Sequence, residues 1–356
     1  MSIIRSASNY DFSQISKLAS ENELLSTGIS REEFEASLKW LYASSDIDNR
    51  FEIVAESDSR ILAHCGVMPI PYVIDGKEVL GGFVGNLVID KKSLDKTLFF
   101  KIQNELTRGY QKAGFGFLYA LITRKEILNI QLRMGWKNIG SFPVYVRPIA
   151  ILAIAKKYIK NFYLRMLVLP FLLMAEIIIS LIDMCPSYGI DIKEVHGFEN
   201  SFSDFLKSWS NQKIIFASRG VKNLNWRFFD FKNRGYVIYS ASRNDSITGF
   251  VVLRLMPMKN FQTVAIVDLI AGDKDTQTQS ALLKHAVKFA KSNGVDLIAS
   301  LGSPIPGHEL LAMRRGFIKT REEFSLLIYT ASDFLNDPNI IRRENWHISW
   351  FDHDFV

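Results

Sequence analysis

NLVIDKKSLDKTLFFKIQNEL, residues 86 to 106, is an apolar strand that runs through a short charged loop into a helix. A helix N-terminus presents unpaired N–H groups and the positive end of the backbone dipole, so strand, loop and helix in this order make a common anion cradle. Such cradles usually contain glycine, and none stands between Asn86 and Leu106. The stretch reads either as a cradle rebuilt with Lys91, Lys92 and Lys96, or as a solvated helix start with Ser93 or Asp95 as its N-cap.

Outward from this junction, the sequence on the N-terminal side alternates in the two-residue period of strands. FEIVAES (51 to 57), ILAHCGVMPIPYVIDG (61 to 76) and VLGGFVGNLVID (79 to 90) are joined by the turn-rich SDSR and DGKE, which predicts an antiparallel meander. Before it come a short strand at Ile3 to Ala7, a helix capped by Asp11 with Phe12, Ile15 and Leu18 on one face, and a helix from Arg31 to Tyr42. After it come a helix to about Ala113, the strand FGFLYALI (115 to 122), a short helix ending at Gly135 and a strand leading to Val146.

A similar order recurs downstream in YVIYSAS (236 to 242), ITGFVVLRLM (247 to 256), QTVAIVDLIAG (262 to 272), a helix to Ser292, VDLIASLG (295 to 302) and MRRGFIKT (313 to 320). Pairing Asn86 with Asp268, Gly114 with Gly294 and Gly135 with Gly316 gives offsets of 182, 180 and 181 residues, a steadiness that composition does not produce. Two copies that each mix strands with helices point to a duplicated domain rather than a solenoid. The expected architecture is α+β (mixed α/β), with domains at 1–147 and 191–335, a connector at 148–190 and a tail at 336–356.

At 356 residues and 48% hydrophobic, the chain has material for two cores. Its 43 Lys+Arg against 37 Asp+Glu leave a net charge of +6 with no long basic run, which argues against a nucleic-acid partner. Cys65 and Cys185 lie far apart, and Ser2 to Ser20 lacks a continuous apolar core; both features suit a cytoplasmic protein. His64 and Cys65 are adjacent in a strand and point to opposite faces, so they do not form a nucleophilic pair. His347, Asp352, His353 and Asp354 are metal-ligand types, but near neighbours seldom converge on one ion, and no metal is expected.

Residues 149–184 form an apolar connector in which Met166 to Ile182 carries the single charge Glu176. Seventeen residues interrupted by Pro170 and a carboxylate are short for a membrane span. The segment is expected as an interdomain helix buried against both halves. Lys156, Lys157, Lys160 and Arg165 leave peripheral contact with an anionic membrane as the alternative.

The order of elements, the glycine before an aromatic in RMGWKNIG and RRGFIKT, and the junction at 86–106 together resemble the GNAT superfamily of acyltransferases. KNLNWRFF (222 to 229) and WHISWFDHDF (346 to 355) are similar to segments of tandem GNAT proteins associated with bacterial surface-polysaccharide synthesis. The resemblance implies two GNAT-like domains, each a mostly antiparallel twisted sheet with flanking helices, and acetyl-CoA as acyl donor. The donor's pantetheine arm would pair with Leu87, Val88 and Ile89, and its pyrophosphate would lie on a loop holding Lys91, Lys92, Leu94, Asp95, Lys96 and Thr97. Lys92 falls on the family's basic position, and Asp95 and Thr97 on its two glycines, so all three depart from the pattern. The second copy, GDKDTQTQS (272 to 280), has one lysine against two aspartates and is expected to bind no CoA.

The family's usual tyrosine acid is replaced by Gln131 in the first half and Ala312 in the second. Tyr119 is the substitute acid and Asn86 the group that would polarise the carbonyl, with a packed strand aromatic as the plainer reading of Tyr119. Trp226 and Arg227 would line a substrate groove that grips a sugar or a carboxylate, against a plainer role in packing. The implied reaction is N-acyl transfer to a small amine such as an amino sugar or envelope precursor. A non-catalytic binding protein and a Fem-type aminoacyl transferase are the alternatives.

Overall fold

Alternating apolar residues and two-residue turns build most of the sheet structure. The computed structural model describes residues 2–25, 29–43, 50–184, 189–302, 309–331 and 337–353. In chain order these begin with β1 (Ile3–Ser6), α1 (Phe12–Glu21), α2 (Arg31–Ala43), β2 (Phe51–Ser57), β3 (Arg60–Ile74), β4 (Lys77–Ile89), α3 (Leu98–Gly109), β5 (Phe117–Ile122), α4 (Lys125–Arg133) and β6 (Lys137–Pro148). Then follow α5 (Ile151–Tyr158), α6 (Phe162–Met184), β7 (Asp191–Val195), α7 (Ser203–Ser210), β8 (Ile215–Ala217), α8 (Val221–Asn225), β9 (Tyr236–Arg243) and β10 (Ser246–Met258). The last are β11 (Phe261–Ala271), α9 (Thr276–Ser292), β12 (Leu297–Leu301), α10 (Glu309–Arg314), β13 (Ile318–Tyr329) and β14 (Trp346–His347). Cys185, Asp354 and Phe355 lie outside the described residues.

The chain divides into two units, and neither is one continuous segment. The first comprises residues 1–141, 214–218 and 325–346; the second comprises 142–213, 219–324 and 347–356. The expected connector therefore belongs to the second unit, and the expected tail is divided between the two.

In the first unit, β1 to β4 form an antiparallel meander, β4 pairs in parallel with β5, and residues 325–329 of β13 lie antiparallel to β5. β8 adds to β3 through Tyr72↔Ala217 and its neighbours, a pairing that nothing in its three-residue sequence announces. Asp58–Ser59 and Asp75–Gly76 turn between paired strand ends with positive φ at both positions, the type I′ geometry whose twist matches that of the strands. On one sheet face α3 buries Leu98, Ile102 and Leu106 against Ile53, Ala55, Ala63, Cys65 and Val67. Each such fully buried aliphatic contributes about 1.5–3 kcal/mol.

In the second unit, β9 to β11 form the meander, β11 pairs in parallel with β12, and residues 144–148 of β6 lie antiparallel to β12. α9 covers this sheet with Leu282, Leu283, Ala286, Val287 and Ala290. Both units thus share a strand order in which the last strand comes from a distant part of the chain.

The expectation for the apolar connector is corrected here. It forms a hairpin of α5 and α6, and α6 runs over 23 residues, about 34 Å at 1.5 Å per residue. Asn161 caps it, its Oδ1 accepting from Leu164 N at 3.1 Å, so the helix includes Arg165 and extends beyond the run from Met166 to Ile182 at both ends. The most apolar window of this helix is 0% buried, so it is not a buried interdomain element. Composition measures how apolar a helix is, but only the tertiary fold supplies or withholds a surface to cover it.

Candidate functional site

The β4–β5 pair of the first unit opens into a wedge. Its parallel pairing joins Gly81, Gly82 and Phe83 to Phe117, Leu118 and Tyr119, whereas β4 continues to Ile89. At the vertex, a Cβ on Gly82 would come within 2.5 Å of Val67 and 2.9 Å of Leu118, so glycine permits the close packing there. Beyond it, residues 84–87 and 89 are only half-buried, which leaves one edge of β4 for an extended ligand. The corresponding strand of the second unit, β11, is buried from Thr263 to Ala271. That edge is closed.

A β-bulge re-aims β4 inside the wedge. His64 pairs with Val88 and Gly66 with Gly85, so Asn86 and Leu87 stand opposite the single residue Cys65, and Asn86 takes φ +50°. Asn86 Nδ2 donates to Tyr42 Oη at 2.9 Å. His64 Nδ1 lies 2.9 Å from the Asn86 carbonyl oxygen, and Nε2 lies 3.2 Å from Glu52 Oε1, whose other oxygen accepts from Arg50 Nε at 2.6 Å. The pleat carries the adjacent Cys65 to the opposite face, where its Sγ meets Gly85 O at 3.5 Å and Gln103 Nε2 at 3.9 Å. The bulge is therefore clamped on one face by Glu52, His64 and Tyr42. Sequence reading singled out Asn86 but missed this clamp, because its members come from three separate elements.

The loop after β4 satisfies much of its own backbone. Lys91 N donates to Asn22 Oδ1 and Lys92 N to Asp90 Oδ1, each at 2.8 Å, and Ser93 N donates to Asp90 O at 3.1 Å. Asp95 N donates to Ser93 Oγ at 3.2 Å, Thr97 N to Asp95 Oδ1 at 3.0 Å and Leu98 N to Asp95 O at 3.4 Å. Asp95 is thus the anion at the head of α3: its second oxygen takes Lys101 Nζ at 2.7 Å and Ser2 Oγ at 2.9 Å. Lys101, Thr97 and Ser2 hold its carboxyl well below the usual carboxylate range. Lys91, Lys92 and Lys96 are exposed, as is Leu94, at 94%. Lys96 Nζ donates to Ser93 O at 2.9 Å. An anion arriving here meets three ammonium groups, with six of the local N–H groups already engaged.

The remaining sequence-derived residues are more deeply placed. Tyr119 is 0% exposed and packs its ring on Tyr72, Phe83 and Phe117. Gln131 is buried, its Nε2 donating to Gln103 Oε1 at 3.1 Å, so an amide chain occupies the place where the resemblance puts an acid. Ala312 is fully buried. Trp226 and Arg227 open a π-helical turn, Trp226–Asp230, in the second unit. Arg227 is 1% exposed and donates to the carbonyl of His353, so its guanidinium is an internal brace rather than the lining of an open groove.

The second unit holds a buried charged cluster at the position of its own bulge. Val252 pairs with Asp268 and Leu253 with Ile266, leaving Val267 as the extra residue. Arg219 Nε donates to Asp268 Oδ2 at 3.2 Å, and Nη2 reaches Ser349 Oγ at 3.3 Å and Asp352 Oδ2 at 3.5 Å. Burial pushes the Asp268 carboxyl up, but Arg219 and His347 outweigh it and hold it below the ordinary value. Burial, with Arg219 and Lys213, lowers the His347 imidazole against the pull of Asp268. Two of the residues considered as metal ligands, His347 and Asp352, are thus members of an ion-pair network. The 182-residue offset had marked Asp268 as the partner of Asn86, the one sequence signal that pointed to this cluster.

No family model matches the chain, and no curated protein sequence matches it. Solved structures do. A GCN5-related N-acetyltransferase from Anabaena variabilis aligns with a TM-score of 0.64 at 9% identity, over 93% of this chain and 73% of that one. A probable N-acyltransferase from Enterococcus faecalis aligns at 0.59 and 10% identity, over 93% and 73%. The N-myristoyltransferase of Saccharomyces cerevisiae, solved with myristoyl-CoA and inhibitors, aligns at 0.60 and 12% identity, over 92% and 80%. At these identities the likeness establishes a GNAT-like fold and leaves the chemistry to the site.

Proposed function

We propose that this protein is an acyl-CoA-dependent N-acyltransferase whose donor lies along β4 of the first unit. The observation that carries the reading is the wedge: β4 leaves β5 after Phe83, and its half-buried edge continues past a clamped bulge to the lysine loop. An extended amide-bearing arm matches such an edge by adding backbone hydrogen bonds, as an incoming strand would. At the far end, Lys91, Lys92 and Lys96 are placed to hold phosphate charge through their ammonium groups, and Lys101 neutralises Asp95. The common fold of acyltransferases that include an N-myristoyltransferase supports an acyl-CoA donor in general. The strand order common to both units is what a duplicated and fused ancestral domain would leave.

In the reaction, the nitrogen of a neutral amine attacks the thioester carbonyl carbon, the carbon–sulfur bond breaks, CoA leaves as thiolate, and the proton shed by the nitrogen passes to that thiolate or to water. Gln131 and Ala312 offer no acid for that thiolate, and Tyr119 is packed among aromatic rings. The chain's contribution is therefore the fixed placement of donor and acceptor, which supplies about 7 kcal/mol or more in well-oriented systems. We infer a small primary amine, such as an amino sugar or envelope precursor, as acceptor and acetyl as the acyl group. One observation favours a non-catalytic binding protein instead: six N–H groups of the loop are engaged by the chain itself.

Calorimetric titration with acetyl-CoA and myristoyl-CoA separates the readings. A dissociation constant of about 100 μM or tighter is expected for one of them, together with release of free thiol when amines are supplied. Lys92→Ala with Lys96→Ala removes the binding, whereas Asp95→Gly, which restores a glycine and releases Thr97 N and Lys101, tightens it about fivefold or more. Absence of heat with both ligands, and an unchanged melting temperature, refutes the acyltransferase reading.

A further inference from the structure

The α5–α6 hairpin presents a surface that the rest of its own unit leaves uncovered. Half-buried positions on α6 fall at residues 165, 168, 169, 172, 175, 176, 179 and 182, one stripe of helical period. This stripe contains the two charged residues of the apolar stretch, Arg165 and Glu176. Glu176 Oε1 accepts from Leu152 N in the first turn of α5 at 3.4 Å, so the carboxylate faces the hairpin and lies against the positive end of a helix. The opposite face is apolar apart from Ser180 and the Tyr163 hydroxyl: Phe162, Leu167, Phe171, Met174, Ile178 and Leu181 are among its exposed side chains, Leu167 at 70% and Phe171 at 66%. A contiguous apolar face of this kind marks an interaction site on a soluble body.

The base of the hairpin is fastened to its unit. Lys157 bonds to the carbonyl of Asn260 and lies 5.4 Å from the Phe261 ring centroid, while Tyr158 stacks on the same ring at 5.3 Å. Beside it stand the exposed Lys156 and Lys160, so residues 149–184 carry four cations, all before Met166, against the two acids Glu176 and Asp183.

We propose that α6 lies in the plane of an anionic lipid bilayer, with its outward face among the acyl chains and Lys156, Lys160 and Arg165 at the headgroups. The cations decide the occupant. Lys156, Lys160 and Arg165 gather about the α5–α6 turn, where phosphate headgroups are complementary to them, whereas a parallel pairing of two copies brings these like charges together. The stripe decides the geometry. A span would place Arg165 and Glu176 in hydrocarbon, while an in-plane helix keeps them toward α5. This inference is independent of the acyl-donor reading, uses none of its residues, and its test does not measure CoA binding.

The test is co-sedimentation of the full-length protein with phosphatidylcholine vesicles, with and without about one-third phosphatidylglycerol. The wild-type protein is expected in the pellet with the anionic vesicles, and an alkaline carbonate wash releases it. Leu167→Glu with Phe171→Glu lowers the bound fraction at least tenfold, and Lys156→Glu with Lys160→Glu abolishes the preference for anionic lipid. The proposal is overturned if the wild-type protein stays in the supernatant with anionic vesicles. Resistance to carbonate overturns it in favour of a span, and a dimer that Leu167→Glu with Phe171→Glu dissociates, without vesicle binding, overturns it in favour of a second copy.

Discussion

Gly66→Ala tests the link between the backbone of β3 and the bulge in the wedge. A Cβ on Gly66 would lie 2.4 Å from Tyr42 Cζ and 2.5 Å from its Oη, about 1 Å inside ordinary contact, while Tyr42 is only 3% exposed. The ring must move, and overpacking of this kind costs about 1–3 kcal/mol. Moving it also breaks the 2.9 Å bond from Asn86 Nδ2, adding about 0.5–1.5 kcal/mol. The expected loss is about 2–4 kcal/mol, read in urea titration or as a fall of about 5–12 °C in melting temperature. In a Tyr42→Ala background the clash is absent, so the same glycine substitution should cost close to nothing, a coupling of about 2–4 kcal/mol in the double-mutant cycle. A neutral Gly66→Ala, or equal costs in both backgrounds, would show that Tyr42 does not clamp the bulge.

Two further predictions concern charge. Arg5 and Ser8 overcome burial to lower the Asp11 carboxyl from 3.8 to about 2. A depressed carboxyl stabilises the fold above its unfolded value, so about 2 kcal/mol is present above about pH 4 and lost as pH falls toward about 2. Asp11→Asn should flatten stability over that window in urea titrations, and an unchanged acid limb would count against the Arg5 pairing. Asp268→Asn removes the charge that the buried Arg219 Nε bonds at 3.2 Å and should cost about 3–5 kcal/mol. Arg219→Met with Asp268→Leu should recover most of that loss in denaturant titrations. If the single variant stays within about 1 kcal/mol of wild type, the cluster is not an ion-pair network.

Much of the candidate site was legible for local reasons. Asn86 stood out as a polar residue in an apolar strand, and the strand read to Asp90 ends one residue earlier, at Ile89, because a strand period of two gives way there to the loop and then to a helical period from Leu98. Its partners were not legible. Asn22 and Ser2 lie 69 and 93 residues from the groups they bind, and nothing in the spacing of lysines and aspartates shows that Asp95 serves as the loop's own anion. The Glu52–His64 contact escaped for a related reason, since the pleat that separates His64 from Cys65 says which face a residue takes and nothing about what waits there.

From the sequence alone came most of the strands and helices, the turns at SDSR and DGKE, the two meanders, and the residue offset that pairs Asn86 with Asp268, because side-chain period and turn chemistry act over a few residues. Tertiary structure alone decided that residues 325–329 complete the sheet of β5 and residues 144–148 that of β12, that the wedge is open at β4 and closed at β11, and that α6 is exposed. These depend on which distant surfaces meet. An apolar strand or helix specifies only that it be covered, and the covering partner is chosen by the packing of the whole chain.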